Sequence, residues 1–312
     1  MTKSVGFIGC GHMGGAMAQR LIAGGFDLIA CDTDVATLEA MVALGASAAK
    51  GPRDVADRAE IILACLPSQE ASRTVASAVA GGSGVKVYIE TSTIGQATIT
   101  AIAGEMQPRG ISVLDMPVSG GPSWAREGRL TGILAGPAQA RQIAAPVLNC
   151  IAGHLIVVGD VPGQGQIAKI VNNMLSLTGM MVACEAIVAG VKAGIDADKL
   201  LEVINAGTGR NSATVDKFPK SVLPRTFKYG GPIGIGNKDL SLYLELDRTG
   251  EAPTPLGQIV ADLWQRITDD IGETSDLTEM VRYFEKRAGV EVRGGFMSET
   301  PANTNLKTGS PK

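Results

Sequence analysis

The sequence predicts an α/β domain joined by one long helix to an all-α domain. Three observations carry that prediction. Short apolar runs alternate with helical patterns through the first half of the chain. An unbroken helical stretch without proline follows over 163–192. From Asp196 onward the patterns are helical and strand signals are nearly absent. The 312 residues are enough for two domains with sizeable cores. Forty glycines beside 45% hydrophobic residues suit tight strand–helix turns rather than disorder. Lys plus Arg number 28 against 31 Asp plus Glu, and no long basic run occurs. That balance argues against nucleic acid or an anionic membrane as partner. Cys10, Cys31, Cys65, Cys150 and Cys184 are odd in number, lie in apolar segments and show no C-x-x-C spacing. They read as reduced core thiols of a cytoplasmic protein. The first strand pattern starts near Ser4, which leaves no room for a signal peptide.

Residues 4–8 form an apolar run that stops at Gly9-Cys10-Gly11-His12-Met13-Gly14, and a helical pattern over 16–23 follows. This is G-x-G-x-x-G in the strand–turn–helix setting that makes it informative. Gly9 allows the tight turn, Gly11 lets the backbone approach a pyrophosphate, and Gly14 lets helix and strand pack closely. The pyrophosphate then sits at the positive end of the helix. The domain is therefore expected to be of the Rossmann, dinucleotide-binding type. A second strand, 27–31, ends at Asp32, 18 residues after Gly14. That is where such a fold places its ribose-binding carboxylate. Thr33 and Asp34 follow, with no Lys or Arg between Cys31 and Ala40, which favours NAD over NADP. The structural alternative is that Asp32 caps the helix beginning near Val35; the two roles can coexist.

The alternation continues with strand patterns over 46–48, 60–65, 86–89, 111–114, 130–135 and 154–158. Leu66-Pro67 precedes a helix from Gln69, so this loop is expected to face the cofactor at the carboxyl end of the sheet. Glu90-Thr91-Ser92-Thr93 leads into a helical stretch reaching Met106. Residues 115–122 read DMPVSGGP, a glycine-rich loop with a free hydroxyl at Ser119. Successive backbone N–H groups beside that hydroxyl make a nest of carboxylate size, against the alternative of a plain turn. His154 falls in a strand pattern and reads as structural, and His12 lies in the phosphate loop, poorly placed for proton transfer. With two histidines in the chain, a histidine base is not expected, and no metal-ligand cluster is visible.

The stretch 163–192 spans roughly eight turns, about 45 Å at 1.5 Å per residue. Its apolar residues surround the axis, so burial on most sides is expected. A membrane span is the rival. The apolar part, 175–191, is 17 residues long, contains Glu185 and is cut off by Asn172 and Asn173, short of the usual span. Lys169, Asn173 at i+4 and Ser176 at i+7 share one face. A lysine in so apolar a setting is costly unless paired or functional; the bland alternative is a snorkelling lysine at a helix end. Further helices are expected over 198–206, 215–222, 238–249, 255–270 and 277–288. The division is thus 1–162 for the dinucleotide domain, 163–193 for the connecting helix and 194–295 for the helical substrate and oligomerisation domain. A disordered tail is expected over 296–312, rich in Gly, Pro, Ser, Thr and Asn.

Four separated motifs together resemble one family. GFIGCGHMG at the start, Asp115-Met116-Pro117-Val118-Ser119-Gly120-Gly121, Gly163-Gln164-Gly165 with Lys169 and Asn172-Asn173, and Lys238-Asp239-Leu240 are similar to the β-hydroxyacid dehydrogenases. That family includes 3-hydroxyisobutyrate dehydrogenase and tartronate semialdehyde reductase and is related to 6-phosphogluconate dehydrogenase. Leu66-Pro67 and Ser92-Thr93-Ile94 match weaker signatures. The resemblance covers about 4–290. It implies a Rossmann-type domain, a long helix and a helical domain, with Lys169 catalytic and Asn173 a substrate ligand. It also implies that Ser119, Gly120 and Gly121 cradle the substrate carboxylate, and that Thr93 and Lys238 contact the nicotinamide side of the cofactor. Homodimers or homotetramers are the family's assemblies.

The residues agree with that chemistry. Hydride transfer between an alcohol carbon and a nicotinamide needs a group that takes or returns the hydroxyl proton. A lysine buried at a helix start is desolvated and sits at the positive dipole end, and both lower its pKa. Imine reductases resemble the scaffold but lack the lysine. Trp124 stands where the family commonly has a small residue, and Gly230-Gly231-Pro232 replaces a bulkier stretch before Lys238; both imply a pocket shape of its own. Oxidative decarboxylation of a phosphorylated sugar acid requires a larger cationic pocket than a helical domain of this size offers. The rival outside catalysis is an NAD-binding sensor, which has no reason to keep Lys169 and Asn173 behind an anion nest. The expectation is an NAD-dependent dehydrogenase of a small hydroxyacid or its semialdehyde.

Overall fold

The computed structural model describes residues 4–247 and 253–295, so the tail expected over 296–312 lies outside the described residues. The described residues form two compact units, 4–173 with 242–247 and 253, and 174–241 with 254–295.

The first unit contains a sheet of nine strands among the described residues. Strands β1 (Ser4–Ile8), β2 (Asp27–Cys31), β3 (Ser47–Ala48), β4 (Ile61–Ala64), β5 (Val87–Glu90) and β6 (Ser112–Asp115) run parallel in the order β3-β2-β1-β4-β5-β6. This is the doubly wound order in which ligands bind beyond the carboxyl ends of the strands, where the winding reverses between β1 and β4. Strands β7 (Val118–Ser119) and β8 (Leu130–Ala135) extend it antiparallel, and β9 (Ala152–Gly159) runs parallel to β8. The period of two along each strand divides the core. Val5, Phe7, Val87 and Ile89 face helices α1 (His12–Ala23) and α7 (Ala138–Ile151). Ile8, Ile62 and Tyr88 face α3 (Pro52–Arg58), α4 (Gln69–Ala80) and α5 (Gln96–Met106). Helix α2 (Val35–Ala43) follows β2.

Part of the expected loop 115–122 is ordered differently. Residues Val118–Ser119 pair with β8, and a short helix, α6 (Gly121–Arg126), starts inside it. Pro122 in the first turn favours that start, because its ring presets the helical φ and its missing N–H is not needed there.

Helix α8 (Gln164–Lys192) is one 29-residue element. Ile170, Met174, Met180, Met181, Cys184, Ile187 and Val188 are buried on it. Burial on most sides does not hold. Val171, Leu175 and Val182, at i, i+4 and i+11, are 41%, 72% and 57% exposed, so one stripe of α8 is left uncovered by the described residues. By length and composition alone α8 is long and apolar enough to cross a membrane, with mean hydropathy 1.8 and 39% of that window buried, a test that the core helix of a soluble protein passes equally.

The second unit is helical. It holds the far part of α8, α9 (Ala197–Ala206), a π-helical segment Ala213–Val222, most of α10 (Gly234–Leu244), α11 (Pro255–Ile271) and α12 (Met280–Ala288). The expected α-helix over 215–222 is π-helical because Pro219 lies inside it and has no N–H for a regular ladder. Trp264, fully buried, donates its indole N–H to the Ile233 carbonyl at 3.1 Å. Gly236 makes room for it, since a Cβ there would lie 2.4 Å from the indole.

Candidate active site

The loops after β1, β4, β5 and β6 emerge at one edge of the parallel sheet and carry most of the residues singled out from sequence. In the first loop Gly9 has φ +87°, and a Cβ on it would lie 2.2 Å from the Cys65 carbonyl oxygen. A Cβ on Gly14 would lie 1.8 Å from the Gly9 carbonyl oxygen, so strand and helix approach as closely as glycine alone permits. At Gly11 a Cβ would meet nothing within 4 Å. Gly11 is the N-cap of α1 and supplies no side-chain cap, leaving the first-turn N–H groups to an external acceptor. His12 is exposed and Met13 half-buried at this helix start. The loop therefore fits a pyrophosphate.

Asp32 ties the end of β2 to this loop. One carboxylate oxygen accepts the Cys10 N–H at 2.6 Å and the other the Asp34 N–H at 2.9 Å. The cap of α2 is Asp34, whose carboxylate accepts the Thr37 N–H at 2.6 Å. Asp32 thus stands outside the helix-capping role, with lone pairs left for a ribose. Burial pushes the Cys10 thiol up to about 12 and Cys65 to about 11, so neither supplies a thiolate here.

After β4, the Leu66 N–H donates to the Ser92 hydroxyl at 2.6 Å, which joins the Leu66-Pro67 loop to the loop after β5 that carries Thr93. Glu90 beneath that loop is fully buried; it accepts the Tyr88 hydroxyl and the Ser92 N–H, each at 3.0 Å. Burial raises its pKa above the usual carboxylate range, against the pull of those donors.

The loop after β6 leads to Ser119, Gly120 and Gly121. Both glycines take positive φ, +136° and +83°. A Cβ on Gly120 would lie 2.8 Å from Cε3 of Trp124, whereas at Gly121 it would meet nothing within 4 Å. One side of the loop is thus closed by an indole and the other is open. Trp124 is itself 42% exposed, with the Arg129 guanidinium 5.2 Å from its ring.

Asp115 and Gln166 were not given roles from sequence, and they join these loops to α8. The Asp115 carboxylate, fully buried, accepts the Gly163 N–H at 3.0 Å and the Gln166 N–H at 2.8 Å. Burial pushes its pKa up to about 6 although these donors pull it down. Gly165 is small because a Cβ would lie 2.7 Å from that carboxylate. The buried Gln166 carboxamide accepts the N–H groups of Ile94 and Gly95 at 2.9 and 3.1 Å and donates to the Ser92 carbonyl at 3.0 Å. The signal available in sequence was a polar residue inside an apolar run, Asp115 closing ISVLD and Gln166 between Gly165 and Ile167.

Lys169 follows one turn later and is 8% exposed. Asn173, half-buried, lies on the same face one turn on. Lys238 is on α10 in the second unit, its ammonium 3.2 Å from the Asp239 carboxylate. His154 is exposed on β9. Among the described residues no group of three or more His, Cys, Asp or Glu side chains is placed to hold a metal ion.

Comparison with known proteins decides the family. Residues 4–159 match the NAD binding domain of 6-phosphogluconate dehydrogenase, and 163–284 match the NAD-binding family of NADP-dependent 3-hydroxyisobutyrate dehydrogenase. A 2-(hydroxymethyl)glutarate dehydrogenase from Eubacterium barkeri is 32% identical over 95% of this chain and 100% of its own. The chain belongs to the β-hydroxyacid dehydrogenase family. The mitochondrial 3-hydroxyisobutyrate dehydrogenase of Rattus norvegicus is 31% identical over 90% of this chain and 87% of its own. In structure, a 3-hydroxyisobutyrate dehydrogenase from Mycobacterium tuberculosis, described with L-serine, is similar with a TM-score of 0.84 and 27% identity. It covers 91% of this chain and 99% of its own. As a β-hydroxyacid dehydrogenase the protein is an oxidoreductase with a nicotinamide dinucleotide as cofactor. The open Gly11 loop, the bare start of α1 and Asp32 suit that cofactor.

Proposed function

We propose that this β-hydroxyacid dehydrogenase uses NAD and acts on a small 3-hydroxy acid or its semialdehyde, with Lys169 transferring the proton. The observation that carries the reading is the place of Lys169. It is a buried lysine one turn beyond the Gln166 carboxamide, which holds the loop bearing Thr93. A lysine so buried is costly unless it is paired or functional, and its place on the turn after the Gln166 junction is what favours function here.

The Gly9–Gly14 loop and Asp32 would hold the nicotinamide dinucleotide, whose chemistry there would be hydride acceptance in oxidation and hydride donation in reduction. In oxidation, Lys169 as the neutral amine takes the hydroxyl proton at Nζ; in reduction, the ammonium returns it to the developing alkoxide. Asn173 hydrogen-bonds the same oxygen and holds it against the lysine. The Ser119 hydroxyl and the backbone N–H groups of Gly120 and Gly121 receive the substrate carboxylate. Thr93 and Lys238 are assigned to the nicotinamide side by their motif matches. Asp32, with Asp34 beside it and no cation in the turn, accepts the ribose hydroxyls and repels a 2′-phosphate.

The substrate class is supported by what three of the relatives' names share, although a similar L-threonate dehydrogenase of Cupriavidus necator is named for an acid without that unit. 2-(Hydroxymethyl)glutarate, 3-hydroxyisobutyrate and L-serine are the compounds named for a similar dehydrogenase of Eubacterium barkeri, one of Rattus norvegicus and one of Pseudomonas aeruginosa. Each is a carboxylate with a primary hydroxyl on the carbon beyond its α-carbon, and they differ in the α-substituent. We infer the same HOCH2–CHR–COO⁻ unit for this enzyme. The exposed stripe Val171, Leu175 and Val182 on α8 supports self-association as a homodimer or homotetramer. The balanced charge and free cysteines support a cytoplasmic setting.

The test is a panel of HOCH2–CHR–COO⁻ acids and their semialdehydes, followed by NADH absorbance. Turnover of at least one carboxylate member, and of none of the matching uncharged alcohols, is expected. Equal turnover of alcohols without a carboxylate would overturn the substrate class.

A further inference from the structure

The first turn of α8 joins the cofactor side of the site to the helix that carries the lysine, and a single side chain makes that junction. The Gln166 carboxamide uses its oxygen for two backbone donors, Ile94 N–H at 2.9 Å and Gly95 N–H at 3.1 Å, and its nitrogen for the Ser92 carbonyl at 3.0 Å. It is fully buried, so water cannot substitute for any of the three. Ser92 in turn receives the Leu66 N–H at 2.6 Å, which brings the loop after β4 into the same network. The backbone of Gln166 is fixed from the other side by Asp115 at 2.8 Å. Gln166 therefore cannot shift without moving either the Ser92–Gly95 backbone or the start of α8. Thr93 lies inside the clamped backbone, and Lys169 is three residues along the helix, on the adjoining turn.

We propose that Gln166 is a positioning residue for hydride transfer: its carboxamide sets the Thr93 segment against the helix turn that presents Lys169. Its carboxamide is taken up by the backbone of Ser92, Ile94 and Gly95, so it acts through those groups. The inference rests on the proposed role of Lys169 and adds what fixes that lysine relative to the cofactor loop. Misplacement of reacting groups by about 1 Å can cost about a hundredfold in rate, so the loss belongs in the chemical step rather than in cofactor affinity.

The test uses the full-length enzyme with the substrate found by the panel. Gln166→Met keeps the volume and removes all three hydrogen bonds. Gln166→Glu keeps the two acceptor contacts but sets an oxygen against the Ser92 carbonyl. The expected result is a fall in kcat of about ten- to a hundredfold for Met, a smaller fall for Glu, and a Kd for NADH within about threefold of wild type. The primary isotope effect with C4-deuterated NADH should rise in both as the hydride step becomes limiting. A role confined to stability would lower the folded fraction but leave kcat per NADH site and the isotope effect unchanged, and that result overturns the proposal. Hydrogen exchange in the wild type needs no variant to fold: the Ile94 and Gly95 amides should be protected as strongly as those within α8, and fast exchange overturns it. Lys169→Ala measured alongside separates the two ideas. An inactive Lys169→Ala with a fully active Gln166→Met overturns the role of Gln166 alone, whereas an active Lys169→Ala overturns the reading of the lysine.

Discussion

Asp115 and Gln166 are joined by a 2.8 Å hydrogen bond from the Gln166 backbone N–H to the Asp115 carboxylate, and the Gly163 N–H adds a second at 3.0 Å. The carboxylate closes β6, and the loop to Ser119, Gly120 and Gly121 continues directly from it. Two donors at the bare start of a helix are what an ionised carboxylate receives well.

This bond makes opposite demands on stability and on activity as pH changes. Burial raises Asp115 from 3.8 to about 6, so the folded state holds the proton more tightly than the unfolded chain does. The stabilisation from that proton is fully present below 3.8 and is lost as pH rises through about 6, about 3 kcal/mol at 1.36 kcal/mol per pKa unit. Activity runs the other way, because the protonated acid no longer accepts both N–H groups. The wild type should gain stability relative to Asp115→Asn between pH 7.5 and 4.5 in urea unfolding, while its kcat falls below about pH 6. Asp115→Asn, with one acceptor oxygen for two donors, should be slower at neutral pH and lack that fall. Glu90, paired in register with Asp115 on β5, is also raised by burial and titrates in the same direction, so the Asn variant isolates one of two carboxylates. A wild type that loses stability relative to Asn on acidification would contradict the account.

Cofactor choice follows from Asp32. NAD should give kcat/KM at least about tenfold above NADP, the order set by a charge clash of about 1.4 kcal/mol. Asp32→Ala with Thr33→Arg should narrow or reverse the ratio. A wild-type preference for NADP, measured with the same substrate, would refute the assignment.

The proposed carboxylate-binding role of the Ser119–Gly121 loop is tested at Gly120. A valine there faces φ +136° and a Cβ position 2.8 Å from Trp124, so the loop must shift. Gly120→Val should lower kcat/KM for the acid by about tenfold or more. NADH binding, followed by fluorescence, should stay nearly intact. Methyl esters of the substrate should react far more slowly than the acid; equal rates would remove the loop from the site.

The fold and the candidate cofactor loops were legible in the sequence because the signals for them are local. Gly9, Gly11, Gly14 and Asp32 lie at the ends of two adjacent strands, so strand–turn–helix punctuation locates them without tertiary information. Lys169 stood out as a charge in an apolar helix. Asp115 and Gln166 carry only the weaker signal of a polar residue in an apolar run, since their partners lie 48 and 72 residues away and bond through backbone atoms that composition does not mark. The short helix α6 was hidden by its glycines, which read as loop until Pro122 is seen in its first turn. The exposed stripe of α8 was also beyond reach, because periodicity does not say what covers a face. The resemblance of the motifs filled part of that gap, by assigning roles that spacing alone left open.

The account stands on Lys169, and the most direct measurement is kcat of purified Lys169→Ala with its fold confirmed by circular dichroism. Loss of general acid–base help typically costs about 10²–10⁴ in rate, and loss of a positive group beside the developing alkoxide adds to it. The variant should fall by at least that range while its NADH affinity barely changes, and Lys169→Arg should not restore it, because a guanidinium keeps its proton near neutral pH. Activity of Lys169→Ala within about fivefold of wild type would place the proton transfer elsewhere and contradict the mechanism.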